Sequence, residues 1–272
     1  MILYYVIVNL YERKIKMNIG FIGCGNMATA IIKGILKNNI VTNEQVTASD
    51  KSEKALEVIK ESMGVNTVSD NISVVNNSDI VVLAVKPQYY STVIEEIKDD
   101  VSDKQIILTI APGKTLEWLA KEFGKEVKIV RTMPNTPALI GEGMTGVCRN
   151  KNVTDDEYKI MLDILGSFSV AEDIPESLMD VCVSVSGSSP AYVYILIEAM
   201  ADAAVADGMP RDKAYKFAAQ SVMGSAKMVL ETGKHPGELK DMVCSPGGTT
   251  IEAVRVLEEK GFRSSVIEAM KA

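Results

Sequence analysis

The chain has 272 residues, 47% of them apolar and 24% charged, which is enough for one large or two medium cores and argues against a disordered chain. A formal net charge of −7 and a pI near 5.0, with no long basic run to offset them, argue against nucleic acid as a partner. The four cysteines (Cys24, Cys148, Cys182, Cys244) form no CxxC pair and the single histidine, His235, leaves too few nitrogen ligands, so no metal site is expected, and scattered free thiols fit a reducing, cytoplasmic compartment.

Residues 1–16, "MILYYVIVNLYERKIK", hold an apolar run of about ten residues, against the roughly 20 that cross a bilayer. They lack the basic start and small-residue cleavage site of a secretory signal and read as an appendage, with no membrane partner implied. Strand and helix then alternate. "NIGFIG" is a buried strand, "ATAIIKGILKN" has helical spacing, and "QVTASD" is a second strand. "EKALEVIKESMG" is a helix that Gly64 closes, and "DIVVLAVKP" is a third strand, apolar without interruption. A helix from about Tyr89 to Ile97, the strand "QIILTI", the helix "LEWLAKEF" and the strand "VKIVRTMP" continue the series. This pattern predicts an α/β, Rossmann-type dinucleotide-binding domain over residues 17–178, built on a parallel sheet with helices on both faces.

Residues 179–272 predict an all-α domain for dimerisation. From Ser189 to Ala206, "SPAYVYILIEAMADAAVA" is apolar nearly all round, with Pro190 in its first turn and Gly208 at its close. Such a helix must be buried on every face, and in so small a domain part of that burial must come from another copy of the chain. A homodimer or larger assembly is therefore expected. Glu198 and Asp202, four residues apart on this helix, read either as a carboxylate pair or, more simply, as its one wet edge. A second long helix starts after Pro210, followed by "PGELKDMV" and two shorter helices.

Two segments carry chemistry. Gly23-Cys24-Gly25-Asn26-Met27-Ala28 is a G-x-G-x-x-A turn between a strand and a helix. The first glycine permits the turn, the second lets a pyrophosphate approach the backbone, and Ala28 lets helix and strand pack closely. Past the second strand, Asp50 could accept from the ribose 2′-hydroxyl of NADH, whereas Lys51 and Ser52 could hold the 2′-phosphate of NADPH. Both cofactors stay open, with the preference given to NADPH on Lys51 and Ser52. The other segment, "CSPGGTTIEAV" at 244–254, is a loop and a helix start. It has one glycine more than a cap needs, and Thr249 reads as the ordinary cap.

That second segment, extended to "HPGELKDMVCSPGGTTIEAVRVLE" at 235–258, resembles the signature of the pyrroline-5-carboxylate reductases, which complete proline synthesis. "GFIGCGNMA", "AVKP" at 84–87, "RTMPNTPALIGEG" at 131–143, "SGSSPAY" at 186–192 and "GFRSSVIEAM" agree in order, so the resemblance covers residues 17–272. It implies reduction of 1-pyrroline-5-carboxylate to L-proline by hydride transfer from NADPH or NADH. It also implies helical domains that interlock as dimers, assembling in some members into decamers, with the active site at the subunit interface. Asn71 matches a cofactor contact. Ala84-Val85-Lys86-Pro87 and the segment holding Ala111 and Gly113 match loops around the nicotinamide half, and Pro134 and Asn135 would sit near the ring. Ser245, Gly247, Gly248, Thr249 and Thr250 would bind the substrate, the glycines clearing space for its carboxylate. Thr250 would face the ring nitrogen as a hydrogen-bonding or proton-relaying group. Two positions depart from the family pattern: Ser189 replaces a glycine and Met242 stands where Asn is common. Two rival readings are a β-hydroxyacid-type dehydrogenase, which would use a helical-domain lysine such as Lys213, Lys216 or Lys227, and a non-catalytic dinucleotide-binding regulator, which would not need "SPGGTT".

Overall fold

The structure, a computed structural model, describes residues 17–272; the appendage expected at 1–16 lies outside the described residues. The chain divides after Gly187 into two compact units.

Among the described residues the first unit holds eight strands: β1 (Ile19–Ile22), β2 (Val46–Ser49), β3 (Asn66–Val68), β4 (Ile80–Leu83), β5 (Ile106–Thr109), β6 (Lys128–Met133), β7 (Gly143–Arg149) and β8 (Ser169–Asp173). They form one sheet in the order β3-β2-β1-β4-β5-β6-β7-β8. Helices α1 (Asn26–Lys37), α2 (Glu53–Met63), α3 (Asn71–Asn76), α4 (Tyr90–Ile97), α5 (Leu116–Phe123) and α6 (Asp155–Leu165) connect them. The short helix α7 (Met179–Cys182) and a π-helical turn, Val183–Gly187, end the unit.

Successive residues of a strand point to opposite faces. Here both faces are covered, so the central strands are apolar throughout. Phe21, Val82 and Leu108 enter one core with Ile31, Ile35 and Phe168, while Ile22, Val81, Leu83 and Ile107 enter the other with Tyr90, Ile94 and Leu119. Helix starts are fixed by side chains: Ser52, Asp70 and Thr115 each accept from a backbone N–H three residues on, and Thr154 forms a capping box with Glu157.

The sheet corrects one expectation. It is not wholly parallel, because β7 runs antiparallel to β6 and then pairs in parallel with β8. The reason is chain length. Residues 134–142 are too few for a crossover, which needs about a dozen residues or more, so the chain turns through the 3-10 segment Thr136–Ile140 and comes straight back.

The second unit consists of α8 (Ser189–Ala206), α9 (Arg211–Thr232), α10 (Pro236–Val243), α11 (Thr249–Glu259) and α12 (Phe262–Lys271). Helix α8 has the predicted limits, and α9 packs against it. Its environment within one chain is not the expected one. Ala201 is its one buried residue, while Tyr194 and Ile195 are 60% and 66% exposed. Phe217 and Leu230 on α9 are exposed too. Asp202 forms an ion pair with Arg211 at the start of α9, and Glu198 is exposed.

Candidate functional site

The glycine turn is built as its chemistry requires. Gly23 has φ +103° and its N–H donates to the Ser49 carbonyl at 2.8 Å, tying β1 to β2. A Cβ at Gly23 would stand 2.8 Å from the Ala84 backbone, so no other residue fits without moving β4. Gly25 precedes α1, where no side chain caps the free N–H groups, and no atom lies within 4 Å of the place its Cβ would take. Open space in front of uncapped N–H groups fits a pyrophosphate.

The turn opens on a cleft of about 300 Å³. The predicted residues Gly23, Gly25, Asp50, Lys51, Asn71, Ala84, Val85 and Lys86 come together in its wall. Ile22, Ser49, Tyr89, Thr92, Val93 and Glu96 join them, and sequence reasoning missed all six as site residues. Four of these follow a readable signal, since Tyr89, Thr92, Val93 and Glu96 repeat at helical spacing at and after the start of α4. The other predicted residues stand beside the cleft. Asn26, Met27 and Ala28 form the first turn of α1, Ser52 caps α2, and Pro87 opens the short 3-10 turn Pro87–Tyr89. A wider hollow of about 490 Å³ runs past Gly124 and Asn152 and contains none of the expected residues.

Two carboxylates in the cleft have defined partners. Asp50 accepts the Cys24 N–H at 2.7 Å through one oxygen and the Ser52 N–H at 2.8 Å through the other. Glu96 accepts from the Asn71 side-chain amide at 2.8 Å, and the Ser49 hydroxyl donates to the amide oxygen of Asn71 at 2.7 Å. Lys51 places its ammonium 6.0 Å from the Tyr89 ring centroid. Burial, with the Asp50 charge second, pushes the Cys24 thiol up to about 12, so Cys24 contributes its backbone while its side chain stays neutral.

Ala111, Gly113, Pro134 and Asn135 are not in the lining of this cleft. Ala111 is buried and Gly113 has φ +72°. The Asn135 amide donates to the Ser186 carbonyl at 3.0 Å and accepts the Met144 N–H at 2.9 Å. Both ends are held by backbone, so it braces the 3-10 segment, β7 and the π-helical turn together.

In the second unit, the loop Cys244–Gly248 leads into α11. The two glycines have different physical causes. Gly247 is left-handed at φ +66° with open space around it, and a Cβ on Gly248 would lie 2.5 Å from the Ser245 hydroxyl. The Gly248 N–H donates to the Ser245 carbonyl at 3.0 Å, closing the loop. The expectation that Thr249 caps the helix is corrected: Gly248 is the cap residue, Thr249 is already helical, and no side chain accepts from the first N–H groups. Those groups are left without an intrahelical partner. Thr250 follows, exposed, in the first turn.

Residues 18–113 match the family model described as NADP oxidoreductase, coenzyme F420-dependent, and residues 176–272 match the one described as pyrroline-5-carboxylate reductase dimerisation. A pyrroline-5-carboxylate reductase of Escherichia coli is 52% identical over 94% of this chain and 95% of its own. The chain belongs to the pyrroline-5-carboxylate reductase family. It is an NAD(P)H-dependent oxidoreductase that reduces 1-pyrroline-5-carboxylate to L-proline. A pyrroline-5-carboxylate reductase of Methanosarcina acetivorans is 44% identical over 94% of both chains. The crystal structure of the Plasmodium falciparum pyrroline carboxylate reductase with NADP bound superposes with a TM-score of 0.86 at 34% identity, covering 94% of this chain and 95% of that one.

Proposed function

We propose that the reductase holds NADPH in the cleft beside Gly23 and Gly25 and the substrate carboxylate at the start of α11, and that it works as a homodimer, with a decamer as the larger assembly. Functionally, residues 17–178 form the cofactor domain and residues 179–272 the substrate and dimerisation domain.

The preference for NADPH rests on Lys51 and Ser52. They stand next to Asp50 along the same turn, where a cation and a hydroxyl can meet a 2′-phosphate. Asp50 itself is tied to the turn, each oxygen accepting one backbone N–H, and a carboxylate there repels a phosphate, so the cation of Lys51 must outweigh it. The remaining cofactor contacts are assigned to Cys24 through its backbone, Asn26, Met27, Ala28, Asn71, Ala84, Val85, Lys86, Pro87, Ala111, Gly113 and Pro134. Asn135, which also braces the loop that follows Met133, is assigned with Pro134 to the surroundings of the nicotinamide ring. When bound, the cofactor supplies the hydride.

For the substrate, the observation that supports the reading is the uncapped start of α11 behind a left-handed glycine. Free N–H groups and the positive end of the helix favour a carboxylate. Ser245 and Gly248 hold the loop that presents them, and Gly247 and Thr249 complete it. The imine nitrogen is basic enough to arrive protonated, so no strong protein acid is required. Thr250 orients that nitrogen through its hydroxyl, which accepts the iminium N–H; for a substrate that arrives neutral, the same hydroxyl is the group that relays the proton to it. Asp202 is engaged with Arg211 and is not a candidate acid.

Dimerisation is supported by the apolar surface of α8. The helical run Glu176–Ala206 is apolar and long enough, by those criteria alone, to cross a membrane, and 6% of its most apolar window is buried within the chain. It carries Glu198 and Asp202 one turn apart, and it lies within the segment that matches a dimerisation family. We therefore read the surface as an interface between copies in a cytoplasmic enzyme.

The test follows nicotinamide absorbance after 1-pyrroline-5-carboxylate is added. We expect Thr250→Ala to lower turnover roughly 10- to 100-fold, in the lower range of general-acid effects; unchanged turnover would remove Thr250 from the mechanism. We expect kcat/KM to be higher with NADPH than with NADH, and a preference for NADH would overturn the reading of Lys51 and Ser52.

A further inference from the structure

Glu96 is out of place on electrostatic grounds. It sits in the wall of a cleft read as holding an anionic dinucleotide, where a carboxylate repels the ligand. Among the described residues no Lys or Arg forms an ion pair with it, whereas its neighbour Glu95 is paired with Lys98. What Glu96 does accept is the Asn71 amide.

That contact fixes a direction. An ionised carboxylate can only accept, so the NH₂ of Asn71 must face Glu96 and the carbonyl oxygen must face the buried Ser49 hydroxyl. The backbone of Asn71 is held as well, because Asp70 caps α3 through the Ser73 N–H at 2.7 Å. A side-chain amide can otherwise flip and exchange its donor for its acceptor at little steric cost. With Ser49 on one side and Glu96 on the other, Asn71 keeps one free N–H and one free lone pair in a fixed order.

We infer that Glu96 is a positioning residue for the cofactor, acting through Asn71: it orients the amide so that Asn71 meets the dinucleotide with a defined donor and acceptor. The inference rests on the reading of this cleft as the cofactor site. It explains why the carboxylate is kept where charge alone disfavours it, since a fixed amide lowers the ordering cost of each binding event.

The test measures NADPH dissociation constants by titrating cofactor fluorescence, without substrate, for Glu96→Leu, Glu96→Gln, Asn71→Ala and the double variant Glu96→Leu/Asn71→Ala. Glu96 is exposed, so the variants should fold, and thermal unfolding of the free protein checks this. Glu96→Leu should weaken binding about tenfold, the scale of one charge-assisted hydrogen bond. Glu96→Gln keeps an acceptor and should recover most of the loss. In the Asn71→Ala background, Glu96→Leu should have no further effect. Wild-type binding by Glu96→Leu, tighter binding by both Glu96 variants, or losses that simply add in the double variant would each overturn the inference. If Asn71→Ala itself binds NADPH like the wild type, the assignment of Asn71 to the cofactor fails, and the inference fails with it.

Discussion

The two units treat their apolar residues in opposite ways. In the first, both faces of the sheet are covered by the same chain, and the central strands are buried residue after residue. In the second, the most apolar helix, α8, buries Ala201 and leaves Tyr194 and Ile195 open. Fully burying one such aliphatic side chain is worth about 1.5–3 kcal/mol, so a helix with several of them exposed forgoes a large part of its stabilisation in a single copy. The first unit thus carries its own core, whereas the second leaves its most apolar helix largely open within one chain. The same contrast holds for glycine: Gly23 after β1 makes room for the Ala84 backbone just past the end of β4, and Gly248 before α11 makes room for the Ser245 hydroxyl.

The contrast can be broken most severely at α8. Ile195→Asp places a charge where a partner is expected, and we predict that the dimer dissociation constant rises about a thousandfold, read by analytical ultracentrifugation. An unchanged dimer would mean that α8 is not where copies meet. Gly23→Ala tests the self-sufficient unit instead. With φ +103° and the Ala84 backbone at 2.8 Å, the change should weaken NADPH binding about a hundredfold while the dimer persists.

A smaller effect is expected in the substrate loop. Gly248→Ala should raise the substrate KM about tenfold at unchanged NADPH affinity, because its methyl group meets the Ser245 hydroxyl. Adding Ser245→Ala should recover part of the loss, and no recovery would show that Gly248 is required for some other reason. The smallest effect concerns Cys24. Its thiol is raised from about 9 to about 12, so burial favours the neutral form. That contribution to stability is complete below pH 9 and disappears as the pH rises toward 12. Cys24→Ala should therefore unfold with the same pH dependence as the parent from pH 6 to 8, and with a flatter decline above pH 9, in thermal melts.

Much of this was legible in the chain itself. The glycine turn, the limits of α8 at Ser189 and Ala206, and the family motifs all depend on local spacing. The missed strands do not. β3 has three residues, β7 ("GMTGVCR") carries two glycines, and β8 ("SVAED") is polar and largely exposed at the sheet edge. Their pairing depends on neighbours far along the sequence. The partners of Asn71 were hidden for the same reason, since Ser49 and Glu96 come from two other elements. The cap of α11 was misplaced by one residue because Thr is a common cap, whereas here closure of the Ser245–Gly248 loop fixes where the helix begins.

Asp50 constrains how this enzyme could change its diet of reducing equivalents. Its carboxylate fastens the glycine turn to the start of α2 through Cys24 and Ser52. A substitution at position 50 would therefore loosen the turn and the helix start together. An exchange of one nicotinamide cofactor for the other is better sought at Lys51, whose side chain makes no hydrogen bond to that frame, than at Asp50 or at Ser52, whose hydroxyl caps α2.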